Sequence, residues 1–258
     1  MTEFADNVIL VTGASSGIGA ATAKAFAKQG ALLSLVGRNR CRLAEVAEEC
    51  TNNGAKGVLQ VIADVEKEED LDRIVRETTD KFDKIHILIN GAGYSKFSLV
   101  KDLSVNEIDS IFKVNVRAIL YLIKLSLPYL EKTKGNVINI SSTASSIYAF
   151  TGAVVYSTTK AACDHLTKAA AYELATTGVR VNSVNPAVVE TNMCEYAGFS
   201  EEQTQNYFET NKKMHPLGQR NIKLEEVVDA ILFIASDRAK MITGTCMRVD
   251  GGRGLAGQ

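Results

Sequence analysis

Short apolar segments alternate along the chain with longer segments of helical periodicity. The apolar segments predict strands at 8–11, 32–36, 58–62, 85–89, 137–140, 179–184 and 246–249. Between them, apolar residues recur at intervals of three and four positions, which is typical of helices with one buried face. These intervals predict helices over 18–28, 42–50, 71–82, 108–127, 156–174 and 227–235.

The alternation of strands and helices indicates the fold class. Most strand segments are continuously apolar, which favours a parallel sheet covered on both faces. Strands joined by right-handed helical crossovers predict an α/β fold, a Rossmann-like, doubly wound parallel sheet with helices on both faces. No Pro-rich tract or block of like charge interrupts the pattern, so residues 1–258 are predicted to form one domain.

The longest break in the alternation covers about residues 190–223, with a short helix predicted over 201–212. Loops of this length are usually functional, often as lids over a site. We therefore expect this segment to form a substrate loop.

Composition excludes several classes of protein. The net charge of −1 over 258 residues lacks the basic excess that nucleic-acid binding requires. No apolar run approaches the roughly 20 residues of a membrane span, and the first residues lack the pattern of a signal peptide. Five cysteines without C-x-x-C spacing and three scattered histidines favour free thiols and no metal site. A cytoplasmic location is the expectation that follows.

The predicted helix over 108–127 carries apolar residues on more than one face. A helix buried on a single face needs an apolar arc of only about 100°. Either a deep groove within the chain or a second subunit covers the additional face. We expect a homo-oligomer, a tetramer or a dimer.

A glycine-rich turn, Thr12-Gly13-Ala14-Ser15-Ser16-Gly17-Ile18-Gly19, follows the first predicted strand and opens the first helix. Glycines at such a turn allow close approach of a phosphate, and the N–H groups of the helix N-terminus bind it. The spacing is G-x3-G-x-G rather than the more common G-x-G-x-x-G. Its position between strand and helix predicts a dinucleotide site.

The second predicted strand ends in Gly37-Arg38-Asn39, without an acidic residue. In a Rossmann site, an acidic residue here would accept hydrogen bonds from the adenosine ribose hydroxyls. A guanidinium donates hydrogen bonds only and is suited to a phosphate. Arg38 therefore predicts a 2′-phosphate, and NADP(H) rather than NAD(H).

Tyr156 and Lys160 are spaced to share one face of a helix, since positions i and i+4 are neighbours there. A tyrosine with its ordinary pKa near about 10 is a poor base at neutral pH. A neighbouring ammonium favours the phenolate and lowers the tyrosine pKa. Taken alone, such a pair is common on surface helices.

Together, these segments resemble the short-chain dehydrogenase/reductase superfamily over essentially the whole chain. The segments that carry the resemblance are Thr12 to Gly19, Asp64-Val65, Asn90-Gly91-Ala92-Gly93, Lys113-Val114-Asn115-Val116, Asn139-Ile140-Ser141-Ser142, Tyr156 with Lys160, Pro186 to Thr191, and Val249-Asp250-Gly251-Gly252. The chain departs from the family pattern at Gly91, where an asparagine is usual, and at Ala187, where a glycine is usual.

The resemblance implies a cofactor, NADP(H), and a set of residues that bind it. The implied binding residues are Gly13, Ser15, Ser16, Gly17, Ile18, Gly19, Arg38, Asn39, Asp64, Val65, Asn90, Ala92, Gly93, Tyr156, Lys160, Pro186, Val189 and Thr191. Within that set, Asp64 and Val65 are expected at the adenine, and Thr191 at the nicotinamide carboxamide.

The resemblance also implies four catalytic residues. Ser142 is expected to hold a substrate carbonyl oxygen and Tyr156 to donate its proton. Lys160 is expected to lower the Tyr156 pKa and bind the nicotinamide ribose, and Asn115 to hold a water that links Lys160 to solvent. Ser142 lies one position further from Tyr156 than the commoner family spacing, which would select Thr143. Ser142 is preferred because the pair Ser141-Ser142 directly follows the predicted strand and an extra residue fits the loop from Ser145 to Ala153.

The substrate is expected to be a small carbonyl compound or alcohol, bound at the carboxyl ends of the strands. The candidate lining residues are Tyr94, Ser95, Phe97, residues 147–155, Phe150, Met193, Cys194, Tyr196, Phe199, Tyr207 and Met214, with His215 as a cap or a contact. They are mainly apolar, and no arginine is placed by the sequence to bind a carboxylate. The pattern therefore favours a lipophilic substrate: steroid-like, isoprenoid or acyl.

Two other functions stay open at this point. Reduction of a 3-oxoacyl thioester on an acyl carrier protein would require a basic surface, for which Lys96, Lys101, Arg220 and Lys223 are candidates. A non-catalytic NADP(H)-binding redox sensor would not need the four catalytic residues.

Overall fold

Seven parallel strands form a single sheet in the computed structural model, which describes residues 3–147 and 150–255. The strands are β1 (Val8–Thr12), β2 (Leu32–Gly37), β3 (Gly57–Ile62), β4 (Ile87–Asn90), β5 (Asn136–Ile140), β6 (Arg180–Pro186) and β7 (Cys246–Val249). Their order is β3-β2-β1-β4-β5-β6-β7. The predicted fold class is confirmed, and every predicted strand lies within a few residues of its observed bounds.

Helices cover both faces of the sheet. They are α1 (Gly17–Ala27), α2 (Arg40–Asn52), α3 (Glu68–Phe82), α4 (Val105–Phe112), α5 (Ala118–Thr133), α6 (Val154–Leu174), α7 (Met193–Tyr196), α8 (Glu201–Lys212) and α9 (Leu224–Ala235). Helices α1, α2 and α9 enclose one apolar core, while α3, α5 and α6 enclose the other. Successive β1 residues serve the two cores in turn: Ile9 and Val11 face one and Leu10 the other.

The helix expected over 108–127 is interrupted. It begins earlier, at Val105, where Ser104 and Glu107 form a capping box. A five-residue π-helical turn, Lys113–Arg117, then separates α4 from α5. Most of its apolar residues pack inside the chain, among them Ile119, but Leu120 stays 55% exposed. A π-turn widens the helix locally, and such turns are frequent at functional sites.

The strand order places a crevice at the junction of β1 and β4. From β1 the chain proceeds outward to β2 and β3, and then returns to β4 on the opposite side of β1. Ligands of open α/β sheets bind where the strand order reverses in this way, beyond the carboxyl ends of the strands. The Thr12 hydroxyl fixes this edge by accepting hydrogen bonds from the backbone N–H groups of Gly91 at 3.1 Å and Ala92 at 3.2 Å.

Among the described residues, no helix is both long and apolar enough to cross a membrane.

Candidate active site

A cleft of about 750 Å³ lies over the carboxyl ends of the strands. One part, called here the glycine half, is lined by residues 13 and 15–19, Arg38, Asn39, Asp64 and Val65. The other part, called the aromatic half, is lined by Phe97, Phe150, Met193, Tyr207 and Arg253.

The glycine half is shaped by backbone that tolerates no side chain. Gly13 has a φ of +69°, and a Cβ there would lie 2.7 Å from the Gly91 carbonyl oxygen. A Cβ at Gly19 would lie 2.3 Å from the Gly13 carbonyl oxygen. The turn therefore packs directly against the segment that follows β4.

The N-terminus of α1 opens into this half. Ser16 is the N-cap residue, but its side chain makes no capping hydrogen bond, and the first turn contains no acidic residue. Ser16, Gly17 and Ile18 all line the cleft. The positive end of the helix dipole and the N–H groups of the first turn thus fit the pyrophosphate of a dinucleotide.

The end of β2 supplies a cation to the same half and leaves space for a hydroxyl from the turn after β1. The Arg38 side chain is 68% exposed, and its Nη1 lies 4.0 Å from Oδ2 of Asp64. Gly37 leaves room for Ser15, because a Cβ at position 37 would lie 3.1 Å from the Ser15 Oγ. The Asn39 side chain, expected at the cofactor, accepts a hydrogen bond from the Arg42 N–H and caps α2.

Tyr156, Lys160 and Ser142 meet at the boundary between the two halves. The Tyr156 ring lies 6.1 Å from that of Phe97, and Lys160 Nζ lies 5.7 Å from the Tyr156 ring centre. Lys160 is buried, and its ammonium donates a hydrogen bond to the Ile140 carbonyl at 2.8 Å. The Ser142 hydroxyl is close enough to act on the Tyr156 pKa by hydrogen bonding and lowers it, which favours Ser142 over Thr143 as the partner of the tyrosine.

The electrostatics of this group differ from the expectation that Lys160 lowers the Tyr156 pKa. Burial raises the pKa of Tyr156 to about 12, partly opposed by the Ser142 hydrogen bond. Burial also lowers the pKa of Lys160, because a low-dielectric site disfavours its charged form. Desolvation therefore dominates, and the Tyr156 phenol carries its proton at neutral pH.

Two predicted site residues, Asn90 and Asn115, are buried behind the cleft rather than on its wall. The Asn115 amide donates to the Tyr94 carbonyl at 2.8 Å and to the Thr159 hydroxyl at 3.0 Å, while its oxygen accepts from the Tyr94 N–H at 2.9 Å. Asn90 donates to the Asn139 side chain at 2.9 Å. Asn115 thus fixes the backbone of the wall at Tyr94, whereas Asn90 links the side chains of β4 and β5.

The other predicted site residues do line the cleft. They are Gly13, Ser15, Ser16, Gly17, Ile18, Gly19, Arg38, Asn39, Asp64, Val65, Ala92, Gly93, Ser142, Tyr156, Lys160, Pro186, Val189 and Thr191. No group of three His, Cys, Asp or Glu residues within 3–147 and 150–255 is arranged to hold a metal ion.

The aromatic half contains several of the expected substrate contacts, though not all. Its predicted lining residues are Tyr94, Ser95, Phe97, Ile147, Phe150, Met193, Cys194, Tyr196 and Tyr207. Phe199 packs behind Phe97 with ring centres 5.6 Å apart, Met214 lies elsewhere, and His215 is buried away from the cleft. Residues 148 and 149 of the expected 147–155 segment lie outside the described residues.

The sequence places no arginine for a carboxylate, but in the structure Arg253 lines the cleft, and sequence reasoning missed it. Nothing in its local sequence, Gly252-Arg253-Gly254, signals a site. The turn after β7 brings the residue to the cleft from the far end of the chain.

Comparisons with known proteins agree with this geometry. A profile of the family described as enoyl-(acyl carrier protein) reductase matches residues 13–253. An L-xylulose reductase from Caenorhabditis elegans is 35% identical over 256 residues, which are 97% of this chain and 96% of that protein.

Solved structures are similar over nearly the whole chain. A short-chain dehydrogenase/reductase of unknown function from Caenorhabditis elegans, crystallised with cofactor, has a TM-score of 0.93 at 32% identity and covers 98% of this chain and 97% of its own. A 3-ketoacyl-(acyl-carrier-protein) reductase from Brucella melitensis, in complex with NADH, has a TM-score of 0.86 at 32% identity. The match covers 97% of this chain and 99% of that protein. The chain described here belongs to the short-chain dehydrogenase/reductase superfamily and is an oxidoreductase.

Proposed function

We propose that the protein is an NADP(H)-dependent reductase that interconverts a carbonyl group and a secondary alcohol on a small, largely apolar molecule. The observation that carries the proposal is the Tyr156 phenol, protonated and hydrogen-bonded to Ser142, at the boundary of the two halves of the cleft. A proton donor placed between a dinucleotide cradle and an apolar pocket is what carbonyl reduction requires.

The chemistry that NADPH supplies when bound is hydride donation to a carbonyl carbon. Tyr156 gives its proton to the carbonyl oxygen, so that one hydride and one proton convert the carbonyl to an alcohol. The Ser142 hydroxyl donates a hydrogen bond to the same oxygen and stabilises the negative charge that develops there.

Lys160 and Asn115 assist this proton transfer without giving a proton to the substrate themselves. Lys160 Nζ lies within 4.0 Å of where a Cβ of Gly93 would be, so its ammonium faces the wall that the nicotinamide ribose would contact. Its positive charge favours the phenolate that remains after proton transfer. Asn115 holds the Tyr94 backbone, and so acts as a positioning residue.

The preference for NADP(H) is supported by the end of β2. Arg38 is exposed to the cleft there, next to Ser15, and none of the residues 35–42 is acidic. A 2′-phosphate would accept charge-assisted hydrogen bonds from the guanidinium, whereas a ribose hydroxyl would find no carboxylate at the end of β2 itself. Pro186, Val189 and Thr191 line the same cleft, and we assign them to the nicotinamide end.

Reduction of a 3-oxoacyl thioester on a carrier protein is a second candidate, favoured by the similarity to the Brucella melitensis reductase. Two of the four basic residues that would attract the carrier's phosphate are already paired. Lys96 lies 2.5 Å from Glu107, and Arg220 forms an ion pair with Glu226. The remaining charge at Lys101 and Lys223 is a weak basis for carrier binding.

Assembly into a homo-oligomer, a dimer or a tetramer, is part of the proposal. Leu120 on α5 and Tyr172 on α6 are 55% and 89% exposed in the single chain. Large apolar side chains exposed on neighbouring helices favour burial against a second subunit.

A substrate panel tests the proposed function. The purified protein is assayed with ketones, secondary alcohols and a 3-oxoacyl thioester, with NADPH and NADH compared side by side. We expect ketone reduction with kcat/KM at least about tenfold higher for NADPH, a difference of about 1.4 kcal/mol.

Three outcomes would contradict it. A tenfold preference for NADH would remove the role of Arg38. Reduction of the thioester alone would establish the second candidate, and tight NADPH binding without turnover of any compound would indicate a non-catalytic binding protein.

A further inference from the structure

The end of the aromatic half is formed by the turn that follows β7. The Asp250 carboxylate accepts hydrogen bonds from the backbone N–H groups of Gly252 and Gly254, both at 3.0 Å. Gly251 and Gly252 have φ values of +54° and +84°, which a residue with a side chain rarely adopts. This hydrogen-bonded turn holds Arg253 at the cleft wall.

The Arg253 guanidinium is held by an amide and by no carboxylate. Its Nη1 donates a hydrogen bond to Oδ1 of Asn211 at 2.6 Å, and Asn211 is itself buried on α8. Asp250 is the nearest acidic residue along the chain, but its two carboxylate oxygens accept hydrogen bonds from backbone N–H groups of the turn. Among the described residues no carboxylate forms an ion pair with Arg253, so most of its five donors are uncommitted.

Such an arginine is costly unless something compensates its charge. Burial lowers the pKa of Arg253, which records the penalty of removing a guanidinium from water. Buried charges in proteins are normally paired, because an unpaired one retains the full desolvation cost. The nearby Tyr207 and Asp250 oppose this penalty only in part. A cation that is partly buried, lines a cleft and has no carboxylate of the described residues within ion-pair distance is a site for an anion brought by a ligand.

A continuous row of aromatic rings leads from Tyr156 towards this cation. Ring centres lie 6.1 Å apart between Tyr156 and Phe97, 4.6 Å between Phe97 and Phe150, and 5.7 Å between Phe150 and Tyr207. Tyr207 is close enough to Arg253 for the guanidinium charge to act on its pKa, although burial still raises that pKa to about 12. The cleft thus runs from a proton donor, along an apolar wall, to a positive charge.

We propose that Arg253 binds a carboxylate of the substrate, so that the natural substrate is an oxo acid, or the matching hydroxy acid, with an apolar segment between its two functional groups. This inference rests on the proposed function and narrows its substrate class. A planar guanidinium matches a carboxylate with two parallel hydrogen bonds, which gives orientation as well as affinity. The bound carboxylate would fix which carbonyl reaches Tyr156.

The test compares two oxo acids, para-acetylbenzoate and levulinate, with their methyl esters at saturating NADPH. The ester keeps the ketone and the apolar segment but lacks the negative charge. We expect the wild-type protein to prefer each acid over its ester by about tenfold or more in kcat/KM. Arg253→Met should lower kcat/KM for the acids by about 10- to 100-fold, mainly through KM, and leave the esters within about twofold, the range expected for a lost charge-assisted hydrogen bond.

Two variants serve as controls. Arg253→Lys keeps the charge and should restore part of the acid preference. Arg238→Met removes an exposed arginine outside the cleft and should change neither substrate class. Equal kcat/KM for acid and ester in the wild type, or an equal loss of both in Arg253→Met, would overturn the proposal, because the second result would mean a structural role.

Binding separates failure of this inference from failure of the proposed function. The acids are titrated calorimetrically into the wild-type and Arg253→Met proteins saturated with NADP⁺. Binding that is lost in the variant, without turnover of any carbonyl compound, would refute the proposed reductase and still support the carboxylate site. No binding of either acid to the wild type would overturn the carboxylate site, whatever the activity with other ketones.

Discussion

The two halves of the cleft are built from different parts of the polypeptide. The glycine half is formed mainly by backbone: the turn after β1 packs on the segment after β4, and the N-terminus of α1 opens into the cleft. The aromatic half is formed by side chains from separate loops and helices, including Phe97, Phe150 and Tyr207. A ligand bound by backbone groups leaves few positions where the sequence can change without loss of binding. A ligand bound by side chains can be exchanged for another by substitution of single residues.

Because of this difference, substitutions in the aromatic half can alter substrate preference while the dinucleotide cradle of the glycine half stays the same. A substitution at Gly13 or Gly19 moves backbone that packs against the segment after β4, so it alters the dinucleotide cradle as a whole. A substitution in the aromatic half alters a contact with the substrate and leaves the strand ends in place. The predictions below test that separation.

The largest effect is expected from a methyl group added to the glycine half. Gly19→Ala would place a Cβ 2.3 Å from the Gly13 carbonyl oxygen, so the turn must open. We expect the NADPH Kd, measured calorimetrically, to rise by about 100-fold or more, which corresponds to about 2.7 kcal/mol.

The matched control is Gly198→Ala, in the loop of the substrate side. Gly198 has a φ of +86°, but a Cβ there meets nothing within 4 Å. The backbone strain costs about 1–2 kcal/mol of stability, and the NADPH Kd should stay within about twofold of the wild type. Similar losses of NADPH binding in both variants, with folding intact by circular dichroism, would refute the separation of the two halves.

A moderate effect is expected at Arg38. Arg38→Ala should raise the NADPH Kd by about tenfold and leave the NADH Kd unchanged, since only the 2′-phosphate would use the guanidinium. Arg76→Ala, which removes an exposed arginine from α3, is the control for net charge. If Arg38→Ala weakened both cofactors equally, the arginine would be supporting the fold of the glycine half rather than reading the phosphate.

The smallest effect is expected from pH in the direction of reduction. Because burial raises the pKa of Tyr156 to about 12, the phenol is protonated across the neutral range and only loses its proton far above it. With the reduced, uncharged nicotinamide, kcat for ketone reduction should change less than about twofold between about pH 6 and 9. A fall of kcat centred within that range would mean that a group with a lower pKa donates the proton.

The sequence predicts the glycine half better than the aromatic half, and the reason is physical. The strand, turn and helix that build the dinucleotide cradle are contiguous, so Gly13, Gly17 and Gly19 reveal their roles through spacing alone. Tyr156 and Lys160 share a helix face, which local periodicity also encodes. The features that escape prediction depend on tertiary contacts.

Three particular features illustrate this limit. The π-turn at Lys113–Arg117 interrupts a pattern that looks continuous along the sequence. Arg253 reaches the cleft only because β7 lies at the sheet edge and the following turn folds back. The high pKa of Tyr156 follows from its burial among distant residues, whereas the sequence shows only the nearby lysine.

Proton donation by the Tyr156 phenol in an NADPH-dependent carbonyl reduction is tested most directly by the kcat of Tyr156→Phe with a ketone that the wild type reduces. Tyr172→Phe, on the same helix but outside the cleft, is the control, because it removes a hydroxyl and keeps the ring. We predict that Tyr156→Phe lowers kcat by about a thousandfold, within the range for loss of a general acid, with NADPH still bound and with Tyr172→Phe fully active. A Tyr156→Phe protein that reduces the ketone at the wild-type rate would contradict the account.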